Sequence, residues 1–258
     1  MIPPDVAADD RGLLLGDGLF ETILAEDGRM DRFDAHLRRM VRGCTLLGLP
    51  PPDAGAAEAS AREALLGAGL GAGRAAVRLS WTAGSGRGLD RPQGPPPRLL
   101  VAAFSAPPPQ GPARLVTVGV RRNEGSPASR LKTLSYLDHV LARLEARGRG
   151  ADEALMLNNA GEVAGGAAAN LFWIEHGRLY TPALECGVLD GIVRAAVLAA
   201  AGELGVERRE LRAGPEALAR ADALFLTSSL IGVRPAAELD GRALAPHRLV
   251  AALSSRCR

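Results

Sequence analysis

The stretch Ala106–Ala113, reading APPPQGPA, constrains the fold of this 258-residue chain more than any other segment. Three successive prolines followed by Gln-Gly-Pro make a stiff, extended connector with neither helix nor ladder potential. We therefore expect an N-terminal α+β domain over residues 1–106, a linker over 107–113 and a C-terminal domain over 114–258. A chain of this length holds enough apolar material for either one large domain or two smaller ones. No repeat period appears elsewhere.

Before the connector, Leu19 to Ala25 reads as a strand and Glu26-Asp27-Gly28 as a hairpin turn. A helix is expected from about Asp34 to Leu47, with Leu37, Met40, Val41, Cys44 and Leu47 on one face. Gly48 and Pro50 end it. A second, alanine-rich helix covers about Asp53 to Leu70. Arg74 to Trp81 and Arg98 to Phe104 read as strands around a loop, Ala83 to Pro97. After the connector, Arg114 to Val120 reads as a strand and Leu134 to Arg147 as a helix. Ala154 to Leu157 and Leu171 to Ile174 read as strands joined through the turn Asn158-Asn159-Ala160-Gly161. Ile192 to Leu204 is helical, and Val206 to Leu211 and Ala223 to Leu226 are strands. Short strands mixed with helices, without regular βαβ alternation, point to α+β or a barrel-like C-terminal domain.

The net charge of +2 comes from acidic and basic residues mixed along the chain. No basic tract points to nucleic acid, and no apolar run has membrane-spanning length. Met1 to Gly12 lacks the layout of a signal peptide. Cys44, Cys186 and Cys257 are scattered without metal-ligand spacing, which fits a reducing cytoplasm and argues against a disulfide framework or a protein-built metal site.

Against thirty arginines stands one lysine, Lys132. The excess of Ala, Gly, Pro and Arg suggests a coding bias that replaces lysine wherever positive charge alone is needed. Arginine stays protonated, whereas a lysine amine can be tuned to lose its proton and attack a carbonyl. The surviving lysine is therefore a candidate Schiff-base residue. It lies between a strand and a helix, with Arg121, Arg122 and Arg130 nearby to lower its proton affinity.

Other segments carry compatible chemistry. Leu189-Asp190-Gly191-Ile192-Val193-Arg194 opens a helix, whose free amides and dipole suit an anion, and Gly191 permits close approach. A capped surface helix would read the same way. Thr227-Ser228-Ser229 follows an apolar strand, where hydroxyls complete an anion cradle or simply form a turn. Arg39 is a phosphate partner or a solvated helix arginine. Arg87, in Gly84-Ser85-Gly86-Arg87-Gly88, suits bidentate carboxylate binding. Together they make a lysine, a phosphate cradle and a carboxylate anchor, the parts of a pyridoxal phosphate enzyme acting on amino acids.

The ordered motifs GDGLFETI (Gly16 to Ile23), HLRRM (His36 to Met40), KTLSYLDHVLAR (Lys132 to Arg143), ADEALMLN (Ala151 to Asn158), NLFW (Asn170 to Trp173), TPALECGVLDGIVR (Thr181 to Arg194) and LTSSLIGVRP (Leu226 to Pro235) span nearly the whole chain. In them the chain resembles the class IV aminotransferases, pyridoxal 5'-phosphate enzymes of fold type IV. That group includes branched-chain and D-amino acid transaminases and 4-amino-4-deoxychorismate lyase. The resemblance implies a small α+β N-terminal domain, a barrel-like C-terminal domain and a homodimer. It makes Lys132 the Schiff-base lysine and Arg39 the phosphate-binding arginine. Gly191, Ile192 and Val193, with Thr227 or Ser228, become phosphate contacts, and Tyr136 a cofactor-side tyrosine.

Two positions depart from the family pattern. Gly165 stands five residues before Asn170, where the family places a glutamate that pairs with the cofactor's pyridine nitrogen. Glycine there weakens the electron sink, and Glu162 is the nearest carboxylate in sequence. The Arg87 loop resembles the R-G-S-G-G-R-G loop of the lyase members but has Ala83 at the first arginine and lacks one glycine. The favoured expectation is the lyase, releasing pyruvate and p-aminobenzoate from aminodeoxychorismate. An amino acid transaminase and a non-catalytic cofactor-binding paralogue are the alternatives.

Overall fold

In the computed structural model, which describes residues 6–94 and 96–257, the chain forms two compact units. The first takes the residues up to Pro108 together with Leu131–Tyr136, and the second takes Pro109–Arg130 and the chain from Leu137 onward. The six residues around Lys132, placed by sequence in the C-terminal domain, therefore belong to the first unit. A non-local backbone pairing puts them there, and no local pattern announces it. The reading of Met1 to Gly12 falls partly on residues 1–5, outside the described ones.

The first unit runs α1 (Arg11–Leu15), β1 (Gly18–Glu26), β2 (Arg29–Met30), α2 (Phe33–Leu47), α3 (Ala54–Gly67), β3 (Arg74–Thr82) and β4 (Arg98–Ser105). Its sheet has the order β2-β1-β3-β4 and is antiparallel throughout. Asp27 and Gly28 both take positive φ (49° and 77°) between β1 and β2, the sign a two-residue hairpin needs to match strand twist. Alternation along β1 sends Leu19, Ile23 and Ala25 into a core with Met40, Cys44, Ala61 and Leu65. Phe20, Thr22 and Leu24 therefore face the other side.

The buried face of α2 differs from the expected stripe. His36, Met40, Gly43 and Cys44 are buried, while Val41 is exposed. A Cβ on Gly43 would lie 2.7 Å from a Leu19 methyl, so the helix approaches the sheet most closely at Gly43. That approach, with His36 drawn onto Glu21, turns Val41 outward.

The second unit contains β5 (Ala113–Thr117), α4 (Leu137–Gly148), β6 (Glu153–Leu157), β7 (Val163–Gly166), β8 (Asn170–Glu175), β9 (Arg178–Pro182), α5 (Ile192–Glu203), β10 (Arg208–Leu211), α6 (Glu216–Ala219), β11 (Ala223–Ser228), β12 (Gly232–Leu239), β13 (Arg242–Ala243) and α7 (Arg248–Arg256). One mixed sheet runs β10-β9-β8-β11-β12-β5-β6-β7, with β13 paired to β12. It curls so that β7 packs beside β8, as the barrel-like expectation requires. Trp173, Leu171, Leu224, Leu226, Leu155 and Leu115 fill one side, and α5 and α7 cover Phe172, Phe225 and Ile174 on the other.

Two element assignments need correction. The helix expected from Leu134 starts at Leu137, because the preceding residues pair with β1. The turn at Asn158–Gly161 leads not to β8 but to β7, whose VAGG sequence lacks the side chains that mark a strand. No helix among the described residues is long and apolar enough to cross a membrane.

Candidate active site

Lys132 is hung on the edge of the first unit's sheet. The Phe20 N–H donates to the Lys132 carbonyl at 2.8 Å and the Leu134 N–H to the Gly18 carbonyl at 3.0 Å, and Thr133 bridges Leu19. This register sends Thr133 toward the core and Lys132 to the Phe20 side. Two glycines let the segment lie so close. A Cβ on Gly16 would stand 2.3 Å from the Ser135 hydroxyl, and one on Gly18 would stand 2.4 Å from the Trp81 carbonyl and 2.8 Å from Leu134. The glycines of GDG thus make room for the lysine.

The half-buried amine faces aromatic rings. Lys132 Nζ lies 4.1 Å from the Phe20 centroid and 5.4 Å from that of Tyr136, and the two rings meet edge to face at 5.0 Å. Arg78 Cζ lies 3.8 Å from the same Phe20 centroid. Burial pulls the Arg78 guanidinium below its ordinary value, opposed by Tyr136. Arg78 is the cation that sequence reasoning missed; one arginine within an alternating strand carries no signal of its own. Of the arginines expected near the lysine, Arg121 and Arg130 are exposed, and Arg122 donates to the Gly187 carbonyl (3.1 Å) and contacts His139 (3.2 Å).

On the other face of the same strand, Glu21 is buried between two basic side chains. Arg39 grips it bidentately at 2.8 and 2.6 Å, and His36 Nδ1 meets Oε2 at 2.7 Å. Burial raises the Glu21 pKa, but the Arg39 and His36 hydrogen bonds outweigh it and leave the carboxyl below its usual value. Arg39 is thus a fixed, largely buried group rather than a solvated helix arginine.

Arg87 is exposed at the tip of its loop. The loop's shape comes instead from Arg11, a buried residue not singled out by sequence, which donates to the Gly88, Leu89 and Asp90 carbonyls and to Asp17. Asp17 also receives both arms of Arg91, whose hydrogen bond is the main cause of its lowered pKa.

The second unit holds the residues expected to form an anion cradle. Gly191 is the N-cap of α5 and makes no side-chain cap, so the first-turn amides at Ile192 and Val193 have no capping acceptor. Asn170 Nδ2 donates to the Leu189 carbonyl at 2.9 Å and braces the loop leading into the helix. A Cβ on Gly191 would stand 2.0 Å from Asn170 Oδ1, so any side chain here displaces the Asn170 amide that braces the loop. Thr227 pairs with Asn170 across β11 and β8, and its Oγ1 is buried without a hydrogen-bond partner. Ser228, the next residue, is partly buried. An uncapped helix start beside an orphaned buried hydroxyl is what a phosphate would satisfy. Gly191→Ala is therefore expected to weaken pyridoxal phosphate binding at least tenfold while the fold persists; an absorbance titration giving an unchanged Kd would refute the cradle.

Gly165 has φ of 126°, a backbone state side chains rarely adopt, and the three atoms that a Cβ there would meet first are all backbone, from Ala169, Asn170 and Leu171. The glycine is therefore built into the local chain path at a β6–β7 irregularity. Glu162 does not take over its place. Its carboxylate is tied to Arg212 (2.7 Å), Asn158 (2.8 Å) and the Cys186 thiol.

Comparison with known proteins agrees with this layout. A model of the amino-transferase class IV family matches residues 18–239. A Methanocaldococcus jannaschii protein provisionally named a branched-chain-amino-acid aminotransferase is 34% identical over 93% of this chain and 84% of its own. The aminodeoxychorismate lyase of Bacillus subtilis is 29% identical over 90% of this chain and 80% of its own. The branched-chain aminotransferase of Thermoproteus uzoniensis, solved with norvaline, superposes with a TM-score of 0.89 at 29% identity, covering 98% of this chain and 88% of the other. The chain belongs to the class IV aminotransferase family.

Proposed function

We propose that the protein is a pyridoxal 5'-phosphate enzyme with Lys132 as its acting amine, favoured as a 4-amino-4-deoxychorismate lyase. The observation that carries the cofactor is the cradle, where the uncapped α5 start and the orphaned Thr227 hydroxyl lie on strands and loops braced by Asn170. The cofactor, when bound, supplies a conjugated electron acceptor that weakens bonds at the substrate's amine-bearing carbon. Gly191, Ile192, Val193, Thr227 and Ser228 would hold its phosphate; Arg39, fixed by Glu21 in the first unit, is the further partner that the family resemblance implies. Lys132 Nζ takes the proton from the amine-bearing carbon and, as general acid, gives it to the oxygen of the enolpyruvyl group as its bond to the adjacent ring carbon breaks, so that the group leaves as the enol of pyruvate. Phe20 and Tyr136 wall that amine on its apolar side. Arg78, which pairs with no carboxylate among the described residues, receives a substrate carboxylate, with Arg87 as a second candidate.

Gly165 favours the lyase. Elimination of pyruvate makes the substrate's own ring aromatic, so it leans less on a protonated cofactor ring than transamination does. Transamination is the second reading, supported by the 34% identity to the archaeal relative. The test is incubation of cofactor-loaded protein with aminodeoxychorismate, then with L- and D-amino acids and 2-oxo acids. Formation of p-aminobenzoate and pyruvate is expected; turnover of amino acids alone reverses the choice, and bound cofactor without turnover marks a non-catalytic paralogue.

The assembly we propose is a homodimer in the cytoplasm. Leu137, Val140, Leu141 and Leu144 form an exposed apolar stripe on α4 at three-to-four spacing, suited to a partner face. Leu144→Asp is expected to shift the light-scattering mass toward the monomer; a wild-type mass of 26.8 kDa would remove the dimer.

A further inference from the structure

We propose that Arg78, besides being the substrate-carboxylate partner proposed above, lowers the proton affinity of Lys132 across the shared Phe20 ring. Taking Lys132 as the acting amine rests on the function proposed above, but the coupling itself needs neither cofactor nor substrate. Antiparallel pairing of β1 with β3 sets Thr22 opposite Arg78 and Phe20 opposite Ser80, so Phe20 and Arg78 project from one face of the sheet. The guanidinium and the ammonium lie 3.8 and 4.1 Å from the same centroid, which keeps the two charges within about 8 Å.

Two carboxylates on or just before β1 are engaged away from this face. Glu21 leaves β1 on the opposite side and is consumed by Arg39 and His36 from α2. Asp17, just before β1, is consumed by Arg11 and Arg91. On β4, Arg98 stands opposite Thr82 on the Arg78 face and adds positive potential. The lysine's own segment contributes Tyr136, which is neutral until its hydroxyl ionises.

A like charge at this range, in a half-buried setting, disfavours the protonated amine by on the order of one pKa unit. The ring's attraction for a cation works the other way, and two cations over one ring divide it. Removing Arg78 both ends the repulsion and leaves the ring to Lys132 alone, so the proton affinity of Lys132 must rise.

Because the chain has one lysine, its titration can be read without ambiguity. Reductive ¹³C-methylation of the full-length protein gives one side-chain amine signal, set apart from the α-amine by a Lys132→Arg control. The wild-type signal is expected to titrate below the usual lysine value of about 10.4. Arg78→Gln, which removes the charge and adds no second amine, should move it up by on the order of one unit. The acid limb of the turnover profile should move with it. An unchanged titration in a folded Arg78→Gln variant overturns the coupling.

Should Arg78→Gln fail to fold, the wild type still decides. Molar salt screens a coupling of this length and should raise the Lys132 midpoint; a midpoint indifferent to salt overturns it. A depressed, Arg78-dependent midpoint in a protein without turnover would sink the functional reading and leave this one standing.

Discussion

Lys132→Ala is expected to lower turnover by on the order of 10³-fold while leaving the fold intact. No second lysine exists to substitute, so the loss should be free of the residual activity that a neighbouring amine supplies. Lys132→Arg separates the two properties of the residue. It keeps the positive charge over Phe20 but cannot lose a proton at working pH, so it should be as inactive as alanine. Steady-state kcat for both variants, beside their circular dichroism, checks this; an active arginine variant would show that charge alone is what the site needs.

Glu21→Ala should have the largest effect on stability. It strands Arg39 and His36 in a nearly dry setting, where the glutamate side chain is 1% exposed and the arginine 11%. Breaking a buried pair by removing one partner costs about 3–5 kcal/mol. For a chain of this size that is a fall in Tm of roughly 10 °C. The pH dependence follows from the direction of the shift. The folded-state pKa of Glu21 lies below its ordinary value of 4.5, so the stabilisation is fully present above that value and is lost as pH falls through the lower folded one. Denaturant titrations of wild type and variant should therefore differ by a constant amount from neutral pH down to about the ordinary value, and converge below it. A constant difference across the acid range would contradict the assignment.

The two parts of the site were legible in sequence to different degrees. Lys132 stood out through composition, and the α5 start through Gly191, because each proposed role excludes nearly every other residue type. What glycine does at Gly191 and Gly18 is a matter of atoms approaching within about 3 Å, and such approaches leave glycine as their only trace. Arg78 and Glu21 left no such trace. They occupy alternate faces of neighbouring strands, where a polar residue within a β pattern reads as ordinary alternation.

The fold shows the same division. Helices α2, α3 and α5 were placed within a few residues, since their apolar spacing is local. The start of α4 was placed three residues early, because Lys132–Tyr136 is held by β1, far back in the chain. Strand β7 was missed because Ala-Gly-Gly offers neither bulk nor β-branching. The burial of His36 in place of Val41 follows from a carboxylate on another element, which no helical period encodes.

The most direct test of the central claim is to load the protein with pyridoxal phosphate, reduce it with borohydride, and map the mass gained. One cofactor should be fixed per chain, on the peptide carrying Lys132, and none on Lys132→Ala. A cofactor that binds but leaves the protein mass unchanged after reduction, or one fixed at any other residue, would contradict it.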